Sequence, residues 1–384
     1  MKLFLYLFVI ITCLACKNKT ESAQDKALPK ASDTKELNLK YAKGFSVTNH
    51  ENFKVLTIEK PWPKAEKTYK YILISKENMA KTSFMKDAYD GIIVNPVNRI
   101  VVTSTTHIPA LELLNVEGKL VGFPGTDYIS SEKTRTNIST GNVKELGQNE
   151  SINTEILLEL NPDVVVGFGV EGVNKTFETI KKANIPVIYN GDWVESSALA
   201  KAEWIKFFGV LFNEENQADS IFNTIEKEYL KAKSIAKKAK EKPTVLSGAM
   251  EKDIWYLPNG SSPEAQFFKD ANINYLWSNT TGNGSLALSF EAVFEKARDA
   301  DLWFSPSYYS SLEDMEKANS LYTNFEAFKS QNVYSFTNTK GKTGGVLYYE
   351  MGTTRPDLVL KDLVKIAHPE LLEGYKPYFF KKLN

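Results

Sequence analysis

Cysteine is almost missing from this chain: of 384 residues only two are cysteines, Cys13 and Cys16, both close to the N-terminus. Beyond them there is no residue for a disulfide, a thiol nucleophile or a cysteine-held metal. Histidine is nearly as scarce. His50, His107 and His368 stand far apart and form no HExxH pair, so a histidine-based zinc or manganese site lacks a ligand set. No glycine-rich phosphate loop of the GxGxxG or GxxxxGKS/T kind follows any strand-like run. Net charge is absent as well, because 47 basic residues balance 47 acidic ones and the lysines are spread along the chain, which leaves no footprint for nucleic acid.

What is present begins with "MKLFLYLFVIITCLAC": one positive residue, Lys2, an apolar run from Leu3 to Ile11, and a small-residue site ending in cysteine. This is the layout of an export signal, too short to span a bilayer as a permanent helix. "CLAC" resembles a bacterial lipoprotein box, although Cys13 stands where an aliphatic residue is usual. The resemblance implies removal of residues 1–15 and a lipid anchor on Cys16; a plain cleaved signal is the alternative. Residues 16–38 are polar and lysine-rich, cannot offset the entropy of ordering, and read as a flexible tether.

Residues 39–98 read as an N-terminal β extension, in which "FKVLTIEKPW" and "TYKYILISK" form an antiparallel hairpin. From Arg99 short apolar strands alternate with helices, the pattern of βαβ units and a parallel sheet. One α/β lobe is expected over 99–198. A helical strut follows over 199–242, its second helix running unbroken from a cap at Asn213 to Pro243 with Ala218, Ile221, Phe222, Ile225 and Tyr229 at helical spacing. A surface helix of the second lobe is the alternative for that stretch. The alternation resumes over 243–384 and closes with "RPDLVLKDLVKIAHPELL". The fold class expected is therefore α/β: two Rossmann-like lobes joined by one long helix, with an extra N-terminal β-hairpin.

Two stretches are alike, "NTEILLELNPDVVVG" and "SFEAVFEKARDADLWF". Asn153 and Ser289 are N-cap residues, which puts Glu155 and Glu291 in the first turn of their helices, where the helix dipole favours acid anyway. The recurrence at matched points, once in each lobe, asks for more than that local reason. These two stretches, with "RIVVTSTTHIPALELLNVEGKLVGFPG" and the closing helix, resemble the substrate-binding proteins of ABC importers for iron complexes and cobalamin. The resemblance spans about Arg99 to Leu372. It implies a monomeric binding protein, not an enzyme, that hands a ferric siderophore-like chelate, cobalamin or haem to a membrane permease and its ATPase. It also implies that Glu155 and Glu291 pair with permease arginines, and that the metal arrives as cargo, with no resident cofactor. The rivals are a two-lobed α/β enzyme acting on a metal chelate or tetrapyrrole, and a surface scavenging lipoprotein without a permease.

Ligand contacts are expected on loops at the carboxyl ends of the strands, where open α/β sheets present their crevices. Those loops carry Tyr128, Arg135, Phe168, Trp193, Trp255, Trp277, Tyr308, Tyr309, Tyr348, Tyr349 and Arg355. Flat aromatic side chains suit a large, partly apolar ligand, and arginine suits an anionic chelate. Tyr308, Tyr309, Tyr348 and Tyr349 read first as lining, with direct phenolate ligation of iron as the alternative. His107 reads as a locally bonded helix-start residue or an axial ligand, and His368 as structural. Glu195 and Glu203 read as surface residues. The loops "NTTGNGSLALS" and "NTKGKTGGVLYYEMG" are expected to give turns and close approach to the ligand.

Overall fold

Alternating aromatic and β-branched residues open the folded chain with a four-stranded sheet: β1 (Phe45–Asn49), β2 (Lys54–Ile58), β3 (Tyr69–Ile74) and β4 (Gly91–Val94), with the short α1 (Lys76–Met79) between the last two. The structure is a computed structural model that describes residues 36–384 except 83, 85–87, 171, 173 and 283; Cys13, Cys16 and most of the expected tether fall outside the described residues. β1, β2 and β3 pair antiparallel, and β4 lies parallel to β3. The expected β2–β3 hairpin is thus the middle of a mixed sheet. Its inner face, Phe45, Val47, Leu56, Ile58, Tyr69 and Tyr71, merges with the core of the next sheet.

That next sheet holds β5 (Ile100–Val102), β6 (Leu120–Phe123), β7 (Lys144–Glu145), β10 (Val164–Gly167) and β11 (Val187–Tyr189), in the order β11-β10-β5-β6-β7 and parallel throughout. β5, β10 and β11 are buried along their whole length, which is why they read as continuous apolar runs. The helices of this lobe are α2 (Ile108–Leu113), α3 (Glu132–Ser139), α4 (Thr154–Leu160) and α5 (Lys175–Lys182). A two-stranded hairpin, β8 (Gly147–Gln148) and β9 (Ser151–Ile152), leads into α4.

The second lobe repeats the plan. β12 (Thr244–Ser247), β15 (Asn274–Tyr275), β17 (Leu302–Phe304), β18 (Val333–Ser335) and β19 (Lys381–Lys382) stand in the order β15-β12-β17-β18-β19, parallel except for the last pair. With the edge strands β7 and β19 set aside, both sheets run fourth, third, first, second. A small antiparallel sheet of β13 (Ala249–Glu251), β14 (Ile254–Pro258) and β16 (Ser285–Leu288) is added to the second lobe, which also carries α9 (Pro263–Asp270), α10 (Phe290–Ala297), α11 (Leu312–Ala318), α12 (Glu326–Lys329), α13 (Leu347–Met351) and α14 (Pro356–Ala367).

Between the lobes lie α6 (Ala198–Glu203), α7 (Ile205–Phe212) and the 22-residue α8 (Glu215–Ala236). α8 is about 33 Å long at the usual rise per residue. Ala218, Phe222 and Ile225 on its first half enter the first lobe's core, and Tyr229, Ala232 and Ala236 on its second half enter the second lobe's core. One helix is thus shared by two cores. It stops at Ala236 instead of continuing to Pro243, because the amides of Lys238 and Ala239 turn back to the carbonyls of Ile235 and Ala236.

The surface expectation for Glu195 and Glu203 is overturned: they are 8% and 0% exposed. The Glu203 carboxylate accepts the backbone N–H groups of Lys40, Tyr41 and Ala42 at 2.7–3.1 Å, and pairs with buried Lys206 at 3.0 Å. Glu195 accepts the N–H groups of Lys43 and Gly44, both at 2.8 Å, and the Trp204 indole N–H at 3.0 Å. A Cβ at residue 44 would lie 2.7 Å from the Trp204 ring, so glycine is needed there. These two carboxylates pin the entering segment, because buried backbone donors must find acceptors.

Candidate ligand cleft and docking edge

In both lobes the helix that precedes the third strand of the shared order, α4 or α10, leads directly into that strand, β10 or β17. Each has the expected cap: the Asn153 side chain accepts the Ile156 N–H at 3.1 Å, and the Ser289 hydroxyl accepts the Ala292 N–H at 3.3 Å. Glu155 and Glu291 stand exposed one residue inside, each without an ion-pair partner among the described residues. The Glu291 carboxyl is held below its ordinary pKa by its own backbone N–H and then by the Ser289 hydroxyl. Helices of a parallel α/β sheet begin at the carboxyl ends of its strands, so both glutamates sit on the edge of their lobe that carries the crevice.

The crevice itself is built from those strand ends. Thr103, Ser104 and Thr105 follow β5, Phe123 and Pro124 end β6, and Phe168 follows β10; with Tyr128, Asn149, Gly345, Val346 and Tyr349 they line a cavity of about 270 Å³. A second cavity of about 280 Å³ lies beside it, lined by Thr106, Ala198, Lys201, Pro263, Glu264, Phe267, Tyr348, Tyr349, Gly352 and Thr353. Tyr349 lines both, so they are two compartments of one interlobe cleft. In the first compartment, Thr103 Oγ1 and Asn149 Oδ1 are buried and have no hydrogen-bond partner. Buried polar atoms are rarely left this way without a guest or water to satisfy them.

The lobes touch along one side of the cleft. Glu350 on α13 accepts the backbone N–H groups of Ser130 and Ser131 at 2.5 and 3.0 Å, and the Ser130 hydroxyl donates to the Gly345 carbonyl at 2.9 Å. A Cβ at Gly345 would lie 2.2 Å from the Tyr128 carbonyl, so the close approach that this glycine-rich loop was expected to give a ligand goes to the other lobe's backbone. The other such loop also packs on protein: Asn259 N–H bonds the Gly284 carbonyl and Gly260 N–H the Thr280 hydroxyl, both at 2.9 Å. Burial pushes the Glu350 carboxyl up to about 7 against the pull of those serine N–H groups.

The expected ligand residues divide. Tyr128, Phe168, Tyr348 and Tyr349 line the cleft. Tyr308, 68% exposed, places its hydroxyl 3.1 Å from that of Tyr349 at the mouth. Trp255 and Trp277 are removed from the ligand set: Trp255 is fully buried among Trp303, Tyr322 and Phe325, and Trp277 packs against Tyr275 under Lys296. Tyr309 likewise turns into the second core, edge-on to Tyr322. Arg135 donates to the Thr126 carbonyl at 2.6 Å, and Arg355 forks onto buried Asp357 at 2.8 and 2.9 Å while lining a separate side cavity. Trp193 is exposed and lies outside both compartments. His107 is 1% exposed with its pKa lowered to about 3 by burial, a neutral ring beside Phe208, and His368 bonds the Ala271 carbonyl at 3.0 Å.

The charged groups of the second compartment were missed. Lys201, its pKa pulled down by burial and back up by Asp192 and Glu264, faces Glu264, which stands exposed in the first turn of α9. Asp192 is raised to about 6 by burial, with Lys201 opposing. The signal lay in "ALAKAE", where Lys201 stands among Ala198, Leu199, Ala200 and Ala202, all of them buried. Among the described residues no group of three or more His, Cys, Asp or Glu could hold a metal, and no helix is long and apolar enough to cross a membrane.

Known proteins match this arrangement. An uncharacterized lipoprotein of Methanocaldococcus jannaschii is 27% identical over 329 residues, 82% of this chain and 76% of the relative. A second lipoprotein of that organism, also uncharacterized, is 25% identical over 318 residues, 79% and 77% of the two chains. The fold is shared with a possible iron-binding, periplasmic solute-binding protein of Staphylococcus epidermidis, at TM-score 0.56 and 17% identity over 71% of this chain and 100% of that one. It is shared too with a periplasmic heme-binding protein of Vibrio cholerae, at TM-score 0.52 and 15% identity over 68% and 99%. Helicobacter pylori CeuE, in a nickel–histidine complex, matches at TM-score 0.55 and 19% identity over 74% and 87%. Residues 100–339 match the profile described as periplasmic binding protein, and the chain belongs to that family, in its iron-complex, cobalamin and haem class.

Proposed function

We propose that this protein is the substrate-binding component of an ABC importer, taking a metal complex into the interlobe cleft and presenting it to a membrane permease. The observation that carries the reading is the pair of exposed glutamates, Glu155 and Glu291, at the same topological point of two lobes with the same strand order. One free carboxylate per lobe, on the cleft edge, suits one arginine on each half of a two-fold permease. Such exposed pairs set orientation and encounter more than affinity. The permease is coupled in turn to its ATPase.

The cleft supports a metal complex over a bare ion, since its walls offer aromatic faces and hydroxyls instead of a ligand cluster. An iron chelate is the leading cargo, with haem, as bound by the Vibrio cholerae protein, and cobalamin beside it. Cys16 is the proposed lipid anchor, outside the cytoplasm in the cell envelope, and the protein works as a monomer without chemistry of its own. Isothermal titration of the purified full chain with ferric siderophores, ferric citrate, nickel–histidine, haemin and cobalamin tests this. Saturable micromolar or tighter binding of one complex is expected, and none across the set in a folded protein rejects the reading.

A further inference from the structure

The second compartment holds opposite charges that face each other without touching. Lys201 Nζ and the Glu264 carboxylate feel each other's charge, yet among the described residues neither makes an ion pair or hydrogen bond, and the Tyr348 hydroxyl beside them is also unbonded. Among the charges acting on Lys201, Asp192 is the largest. Lys201 is half-buried and Glu264 exposed, so both charges stand open to the cavity and available to a guest. Here the gap between the charges is the cavity of about 280 Å³ itself.

The walls of that gap are stiff. Tyr348 is stacked on Phe336 at 4.2 Å and 17°, Phe267 and Pro263 close the opposite side, and a Cβ at Gly352 would lie 2.6 Å from the Tyr348 carbonyl. Arg135 and Arg355, by contrast, are each bound to protein acceptors.

We infer that this compartment is a subsite for the aminocarboxylate edge of a metal chelate. An outward carboxylate oxygen of the guest accepts from Lys201 Nζ, and an N–H of the same edge donates to Glu264. Thr106 and Thr353 flank the edge, and Tyr349, on the wall shared with the first compartment, abuts the rest of the complex. The inference rests on the reading of the cleft as a metal-complex site and adds a selectivity to it. Complexes whose rim carries both a carboxylate and an N–H donor are preferred over those with carboxylates alone or amides alone.

The test uses the full chain in detergent and three probes: nickel–histidine, with carboxylate and N–H; ferric citrate, with carboxylate and no N–H; and cobalamin, with an amide rim. The wild-type chain is expected to bind nickel–histidine most tightly. Lys201→Met should weaken nickel–histidine and ferric citrate by about tenfold or more, as for loss of a charged hydrogen bond, and leave cobalamin unchanged. Glu264→Gln should weaken nickel–histidine alone, and Lys201→Arg, which keeps the charge, should retain most of the binding. Circular dichroism of each variant reports folding. Wild-type binding that Lys201→Met leaves intact, or binding of cobalamin without either carboxylate chelate, overturns the subsite while the importer reading stands. No binding of any metal complex by the wild-type chain overturns both.

Discussion

The two lobes follow one plan and are filled with different side chains. In the first, Val164, Val165 and Val166 of β10 pair with Ile100, Val101 and Val102 of β5, an aliphatic centre. In the second, Trp255, Trp303, Tyr322 and Phe325 meet at 5.2 to 5.7 Å between ring centroids, an aromatic one. Strand order and capped helices persist while the filling changes, as expected where patterning and volume decide a fold and detailed packing refines it. At the cleft the difference becomes chemical. The first lobe brings hydroxyls and an amide, from Thr103, Ser104, Thr105 and Asn149, and the second brings tyrosines and the acid Glu264.

If the lobes are equivalent toward a permease, Glu155→Ala and Glu291→Ala should each reduce uptake in reconstituted vesicles by a similar part, and together abolish it with cargo affinity unchanged by calorimetry. A single variant as damaging as the pair would break the equivalence, and normal uptake in the double variant would remove the docking role. Glu203→Ala probes what only the first lobe has. It strips the acceptor from three backbone N–H groups and one partner from buried Lys206, and should cost about 3 kcal/mol in urea unfolding. An unshifted midpoint would mean that the entering segment is not held by this carboxylate.

The caps give a finer comparison. Asn153→Ala and Ser289→Ala should each cost about 1 kcal/mol. In the second variant the Glu291 pKa, read by carboxyl NMR, should rise back toward the ordinary glutamate value. The stabilising effect of the lowered pKa is present above the ordinary value and lost as pH falls through the lowered one. The interlobe contact should respond with opposite sign. Glu350 is raised from 4.5 to about 7, so the folded chain holds that proton more tightly and loses stability as pH rises from about 4.5 to about 7. Thermal midpoints of Glu350→Gln should be flatter than wild type across that window; an identical slope would show that the carboxyl does not titrate there.

Much of the fold could be read before any coordinates, because apolar runs bounded by caps such as Asn153 and Ser289 are local signals. The α/β alternation and the shared long helix follow from such patterns. The errors come from distance. Nothing near Glu195 or Glu203 announces that their acceptors serve backbone more than 150 residues earlier, and β4 is a four-residue strand recruited by β3. "ALAKAEWIKFFGVLF" reads as one helix, yet it divides at Trp204 between α6 and α7, where the buried indole donates to Glu195. In the cleft, Tyr128, Phe168, Tyr348 and Tyr349 line the walls, although Tyr348 and Tyr349 stand on the helix α13 and not on the strand-end loop expected for them. Aromatic identity could not separate them from Trp255 and Trp277, since in a chain with 22 phenylalanines and 18 tyrosines the same residue types also build the core.

The grip of Glu195 and Glu203 on the entering segment also has a mechanical meaning. Lys40 reaches Glu226 of α8 at 2.6 Å and Tyr41 reaches the same carboxylate at 2.7 Å, so tension applied at the start of the folded chain is delivered to the spine formed by α6 and α8. The load enters midway between the lobes.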